Sequence, residues 1–392
     1  MKKVILIKYG EIALKGRNRH QFESLIVENI RLATGENTIA VEKQRGRFYL
    51  HLTEEKQVFH YSKALKRVFG IVGFAVADRL TLHTNLEAVE KAVLQRIEIL
   101  GLNSLSFRVD ARRASKLFPL DSMEINKKIG AIVLSRFPHW KINLNNPELS
   151  LFIEVRDEGI FIYSSEDYGK GPGGLPVGIG GGGLLLLSGG IDSPVAGWTL
   201  LKRGMAIDAI YFHSFPYTGE KAKEKVIDLA QILTRWKLRA IHLYVPYFTH
   251  VQETINKNCP ESTWTILHRR FMMRVAEKVA KSSYHALITG ENLGQVASQT
   301  IQNISIINKV TDLPILRPLI SFDKQEIIKI AQKIGTFRIS NRPYQDCCTL
   351  FAPKNPETKA KEREILKIEE KLPSDALISE TLKKMRIIRI DQ

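Results

Sequence analysis

The chain has 392 residues, 44% hydrophobic and 25% charged, which suits two or three globular domains and excludes fibrous and disordered classes. Lys and Arg outnumber Asp and Glu by 58 to 41, a formal charge of +17 spread over both halves, so a polyanion such as nucleic acid is the expected partner. Cys259, Cys347 and Cys348 cannot build a disulfide framework, so a reducing, cytoplasmic location is expected. The apolar runs at 4–7 and 184–187 are too short for a signal segment or a spanning helix, and no membrane association is expected.

In chain order, VILIKYG reads as a strand, followed by a basic loop with Lys15, Arg17 and Arg19. Phe22, Leu25, Ile26 and Ile30 recur at helical spacing, and FYLHL alternates as a half-buried strand, closing a small α+β unit near Phe69 to Gly73. A second unit opens on the strand FAVADRL and continues with a helix over 86–100 and the strand SFRVDARR, with Arg112, Arg113 and Lys116 near its end. A helix around 122–136 and the hairpin LSLFIEVRDEGIFIYS complete it. The glycine-rich stretch 169–183 is predicted to be the most flexible part of the chain and to act as a linker. Beyond it, apolar strands alternate with helices predicted at 193–203, 221–236 and 264–281, the pattern of a doubly wound, mostly parallel α/β sheet. The C-terminus is expected to end in a basic helix.

LLLLSGGIDSPVAGW, at 184–198, is a buried strand, a turn of small residues and a helix start. Ser188, Gly189, Gly190 and Ser193 can offer amides and hydroxyls to an anion where the helix dipole also favours negative charge. No Lys followed by Ser or Thr closes the loop as in the Walker type, and Asp192 is expected to face the phosphates or their Mg²⁺. SGGxDS is similar to the PP-loop of ATP pyrophosphatases. Gly178, Gly180 and Gly183 also satisfy GxGxxG, but they precede the strand, which is the wrong order for a dinucleotide site.

Around this loop, Leu186, Leu187, Tyr211 and Phe212 are candidate walls of an adenosine pocket, or plain core. TGENLGQVASQT brings Gly290, Glu291, Asn292, Gln295 and Gln299 to a strand end, and Arg269 and Arg270 could offset triphosphate charge or form a solvated face. Lys324 falls at a predicted helix start, where a cation is disfavoured unless an anion is near, so it and Arg317 are candidate phosphate or RNA contacts. Cys347 and Cys348 could carry sulfur as thiolate or persulfide, form a structural pair, or join Cys259 in a metal cluster. No metal site is assigned.

Together KYGEIALKGRNRHQFE, LLSGGIDSPVAGW, PILRPL, FDKQEII and DCCTLF resemble the tRNA 4-thiouridine synthases, or tRNA uracil 4-sulfurtransferases, over essentially the whole chain. The resemblance implies a ferredoxin-like domain at 1–65, a THUMP RNA-binding domain at 66–168, the linker at 169–183 and a PP-loop ATP pyrophosphatase domain at 184–392. It implies tRNA held by the first two domains and ATP with Mg²⁺ on the third. The uridine O4 is adenylated, and persulfide sulfur then replaces the oxygen. Asp192 and Lys324 match the family's functional residues, and Cys348 matches its sulfur-handling cysteine, with Cys347 the alternative. No rhodanese domain follows, so the persulfide is expected from a separate donor such as a cysteine desulfurase. A sulfur-carrier link to thiamine thiazole synthesis and a homodimer sharing one tRNA are further expectations. The alternatives are another PP-loop tRNA-modifying enzyme and a THUMP RNA-binding protein without adenylation chemistry.

Overall fold

A computed structural model describes residues 2–392 apart from 45, 103–105, 282, 345–350 and 352. The chain divides into two compact units, residues 1–174 and 175–392.

The first unit runs β1 (Lys2–Tyr9), α1 (Arg19–Thr34), β2 (Val41–Gln44), β3 (Arg47–His51), α2 (Gln57–Leu65), β4 (Ile71–Leu80), α3 (Leu86–Leu100), β5 (Ser106–Arg113), α4 (Ser122–Arg136), β6 (Lys141–Ile142), β7 (Leu149–Arg156), β8 (Gly159–Ser164) and β9 (Tyr168–Lys170). One sheet orders them β2-β3-β1-β4-β8-β7-β5-β6, with β9 on β4. Val4, Ile5, Leu6 and Ile7 are all fully buried because β1 is central and covered on both faces, which requires a continuous apolar run. FAVADRL, read from the sequence as opening the second α+β unit, pairs along β1 from Lys2↔Arg79 to Tyr9↔Ile71 and so closes the first. Through Asp78, Arg79 and Leu80 the same strand pairs with β8, which makes the sheet continuous.

The second unit runs β10 (Gly182–Leu186), α5 (Asp192–Lys202), β11 (Ala206–Ile210), α6 (Glu220–Lys237), β12 (Ile241–Val245), α7 (Thr249–Asn258), α8 (Trp264–Ala280), β13 (Ala286–Ile288), α9 (Ile301–Asn308), β14 (Ile315–Leu316), α10 (Lys324–Ile334), α11 (Phe337–Ser340), α12 (Glu362–Glu369), α13 (Ser374–Lys383) and β15 (Arg386–Ile390). Strand order is β14-β13-β10-β11-β12-β15, parallel except for β15. The chain winds outward from β10 through β11 and β12, then returns to β13 on β10's other side. That reversal is a topological switch point, where doubly wound sheets bind ligands at the carboxyl ends of their strands.

Two further expectations change. The chain closes on the strand β15 rather than a basic helix, because Ile387, Ile388 and Ile390 pair along the edge of β12. The glycine stretch is tied down by hydrogen bonds. In the first unit Gly169 pairs with Phe74, and the Gly171 and Gly173 amides donate to Val72 and Ile71 carbonyls. A Cβ on Gly171 would lie 2.2 Å from the Ile71 carbonyl oxygen, so glycine here permits close approach. In the second unit Gly178 and Gly180 both donate to the Gly204 carbonyl, which gives the GxGxxG match a packing role. Among the described residues no helix is long and apolar enough to cross a membrane.

Candidate active site

β10 delivers its last residues to the switch point and α5 leads away from it. Helix α5 begins after Ile191 without a side-chain cap, so its first-turn amides are available to an anion. The turn between is fixed by its own hydroxyls. Ser193 Oγ accepts from the Ser188 amide at 2.9 Å and lies 3.1 Å from Ser188 Oγ, which accepts from the Gly190 amide. Ser340 Oγ, from α11, donates to the Gly190 carbonyl. Gly290, after β13, passes so close that a Cβ would sit 2.7 Å from the Ser193 backbone nitrogen. Only glycine fits.

These elements enclose a cavity of about 200 Å³. Ser188, Gly190, Asp192 and Ser193 form one side, with Leu186, Leu187, Tyr211 and Phe212 as the apolar wall. Arg269, Gly290 and Gln299 complete the residues expected there, joined by Met272, Thr289 and Glu291. Gly189 belongs to the turn but does not line the cavity. Met272 and Thr289 carried no sequence signal beyond a helix face and a strand end.

Lys324 Nζ lies 2.5 Å from Asp192 Oδ1, and Gln295 donates to Asp192 Oδ2 at 3.1 Å. The predicted helix start is real, with Asp323 and Glu326 forming a capping box, and Asp192 is the anion that offsets a cation at that position. Glu291, 1% exposed, accepts from Arg269 at 3.2 Å, Arg317 at 2.6 Å and the Thr289 hydroxyl at 3.0 Å. Arg317 is therefore engaged by Glu291 and Asn308 rather than held out for phosphate.

Arg270 is the clear correction to the predicted ATP set. Helical spacing turns it away from Arg269 into the core, where it is 2% exposed, donates to both Glu369 carboxylate oxygens and the Ile306 carbonyl, and ties α12 to α8. Asn292 likewise donates to the Phe322 carbonyl and braces a loop. Cys259 is buried and its thiol is pushed up by that burial, which makes it inert. Cys347 and Cys348 lie outside the described residues.

Residues 178–373 match the family model described as Thiamine biosynthesis protein (ThiI), 4–75 the ThiI ferredoxin-like domain and 83–165 the THUMP domain. A probable tRNA sulfurtransferase of Coxiella burnetii is 72% identical over 390 residues, covering 100% of both chains. The chain belongs to the tRNA sulfurtransferase (ThiI) family. A relative from Caldanaerobacter subterraneus subsp. tengcongensis, named as a probable tRNA sulfurtransferase, is 47% identical over 95% of this chain and 96% of its own. Among solved structures, a 4-thiouridine synthetase–RNA complex with bound ATP superposes with a TM-score of 0.90 at 38% identity, covering 100% of each chain. PH1313 from Pyrococcus horikoshii gives a TM-score of 0.63 at 26% identity, over 86% of this chain and 100% of its own.

The order of ferredoxin-like, THUMP and PP-loop domains is thus the family's. In the first unit the predicted basic residues fall into two groups. Arg17 and Lys116 are exposed, and so is Arg112, which Asp110 holds more firmly protonated. Lys15 lies over the Phe22 ring, Arg19 donates to the Lys15 and Ala13 carbonyls, and Arg113 donates to those of Phe118 and Leu120. The second group braces local backbone.

Proposed function

We propose that this chain is an ATP-dependent tRNA uracil 4-sulfurtransferase whose catalytic centre is the cavity at the carboxyl end of β10. The Ser188–Ser193 turn carries the reading: small residues and uncapped helix amides, closed against Gly290, with one carboxylate and one lysine at the rim. Such a turn receives the phosphates of ATP, while Leu186, Leu187, Tyr211 and Phe212 surround the base and Arg269 faces the triphosphate. Lys324 exchanges Asp192 for phosphate oxygens when nucleotide enters. The Asp192 carboxylate, at the rim of a phosphate loop, fits Mg²⁺, which favours one or two carboxylates plus phosphate oxygens. When bound, that ion neutralises phosphate charge.

Uridine O4 forms a bond to the α-phosphorus as the bond to pyrophosphate breaks, and Lys324 stabilises the charge that develops there. A persulfide sulfur then forms a bond to C4 as the C4–O4 bond breaks to release AMP, and a second thiolate attacks the inner sulfur, so that the S–S bond breaks to leave 4-thiouridine and a disulfide. Cys348, or Cys347, handles that sulfur, supplied by a separate donor such as a cysteine desulfurase in the cytosol. Arg17, Arg112 and Lys116 meet tRNA phosphates, which position without discriminating bases. A homodimer sharing one tRNA and a sulfur-carrier role towards thiamine thiazole belong to the same reading.

The test incubates the protein with Mg·ATP, unmodified tRNA and sulfide, and follows near-ultraviolet absorbance of 4-thiouridine beside released pyrophosphate. Matching amounts of the two products are expected. Pyrophosphate without thiouridine would overturn the assignment of sulfur transfer to uracil.

A further inference from the structure

A second and larger cavity, about 1040 Å³, opens at the carboxyl ends of β11 and β12. Phe212 lines the first cavity and the next residue, His213, lines this one. Its floor is the loop after β11, which is rigidly held. The His213 amide donates to the Pro246 carbonyl, the Phe248 amide to the His213 carbonyl, the Ser214 amide to Thr218 Oγ1, and Thr249 Oγ1 to the Phe215 carbonyl. On this fixed backbone the Phe215 side chain stands 50% exposed, which positions an aromatic face without ordering cost.

The rim is basic. Lys223, Lys384 and Arg386 line the groove against one acidic side chain, Glu220. Glu220 pairs with Lys223, and Lys384 pairs with Glu380 at 2.6 Å, its ammonium over the Tyr247 ring. Among the described residues no carboxylate stands within ion-pair distance of Arg386. In the floor His213, 8% exposed, sets its ring 6.4 Å from that of Phe215 and backs it from within the fold.

We propose that this groove seats an unstacked nucleotide of the RNA substrate on the catalytic unit, with its base against Phe215 and its flanking phosphates at Lys223 and Arg386. Aromatic stacking and a basic rim are the features a single-stranded nucleotide satisfies together. The proposal rests on the reading of the chain as a tRNA-modifying enzyme and adds an RNA contact that is independent of the basic residues of the first unit.

The experiment uses the full chain, fluorescent oligouridylate and oligocytidylate, unmodified tRNA and ATP. Phe215→Ala and Arg386→Glu each weaken oligouridylate binding about tenfold and raise KM for tRNA, with KM for ATP unchanged. Arg389→Glu, on the same strand but paired with Asp391 and outside the groove, leaves all three at wild-type values. If the groove variants bind both oligonucleotides as the wild type does, or if Arg389→Glu behaves as Arg386→Glu, the proposal is wrong. A wild type that makes no thiouridine, yet shows these oligonucleotide differences, would sink the proposed activity and leave the groove as an RNA seat.

Discussion

Each unit buries a glutamate among arginines, and the two clusters serve different ends. In the first unit Glu154 lies in the middle of the sheet, accepting from Arg47 and from the Tyr163 hydroxyl at 2.6 Å, with Arg156 at 3.0 Å and Lys8 at 3.7 Å. Burial alone would raise its pKa, but Arg47, Tyr163, Lys8 and Arg156 together hold it at about 2. In the second unit Glu291 has Arg269 on one side and Arg317 on the other, at the end of β13 where the switch-point cavity opens. The chemistry of the partners is alike. Position separates them, because the mid-sheet cluster encloses Glu154 and Arg47 away from the switch point, while the one at the carboxyl ends of parallel strands places Arg269 on the wall of the cavity there.

The largest effects are expected at the rim of the cavity. Asp192→Ala and Lys324→Ala should each reduce 4-thiouridine formation by about a hundredfold or more while leaving the denaturation midpoint near wild type. Activity within a few fold of wild type in either variant rules out the phosphate-loop mechanism. Gly290→Ala places a methyl group against the Ser193 backbone, so a rise of at least about tenfold in KM for ATP is expected, read by pyrophosphate release at varied ATP.

Adjacent arginines sharpen the contrast. Arg270→Ala leaves Glu369 buried with a weakened set of partners and should cost about 3–5 kcal/mol in urea unfolding. Arg269→Ala should raise KM for ATP with little change in stability. Reversed outcomes would exchange their roles.

Acid should act on the enclosed clusters. Glu154 and Glu369 are each held at about 2, against 4.5 for an unperturbed glutamate. For Glu369 burial again opposes the shift, and hydrogen bonds from Arg274 and Arg270 outweigh it. Because both values are depressed on folding, their contribution is complete above about pH 4.5 and is lost as pH falls from there towards 2. The unfolding midpoint should drop over that window, and less steeply in Glu369→Gln. An unchanged slope in that variant would show that the carboxylate is not the acid-sensitive element.

The smallest effect concerns surface charge. Arg17→Glu and Lys116→Glu should each lower the slope of log affinity for tRNA against log salt by about one. Arg113→Ala, whose guanidinium caps the Phe118 and Leu120 carbonyls, should alter stability more than that slope.

Elements with strong local signatures are readable in the amino-acid sequence. The amphipathic helices, the β7–β8 hairpin and the strand–turn–helix around SGGIDS are legible because period, turn chemistry and helix-start signals are all local. The cavity walls were legible for a related reason, since the ends of parallel strands converge at the switch point wherever the chain reverses direction across the sheet. The rest depends on long-range packing. Arg269 and Arg270 look equivalent in the sequence, and only the packing of α8 against α12 sends one to the cavity and the other to Glu369. FAVADRL reads equally well as opening one domain or closing another, because pairing with β1 depends on residues about seventy positions away. Arg317 resembled a phosphate contact until Glu291 was placed beside it. Local sequence encodes what a segment can form, whereas the charge a ligand meets is what remains after the fold has paired the side chains distant segments bring together.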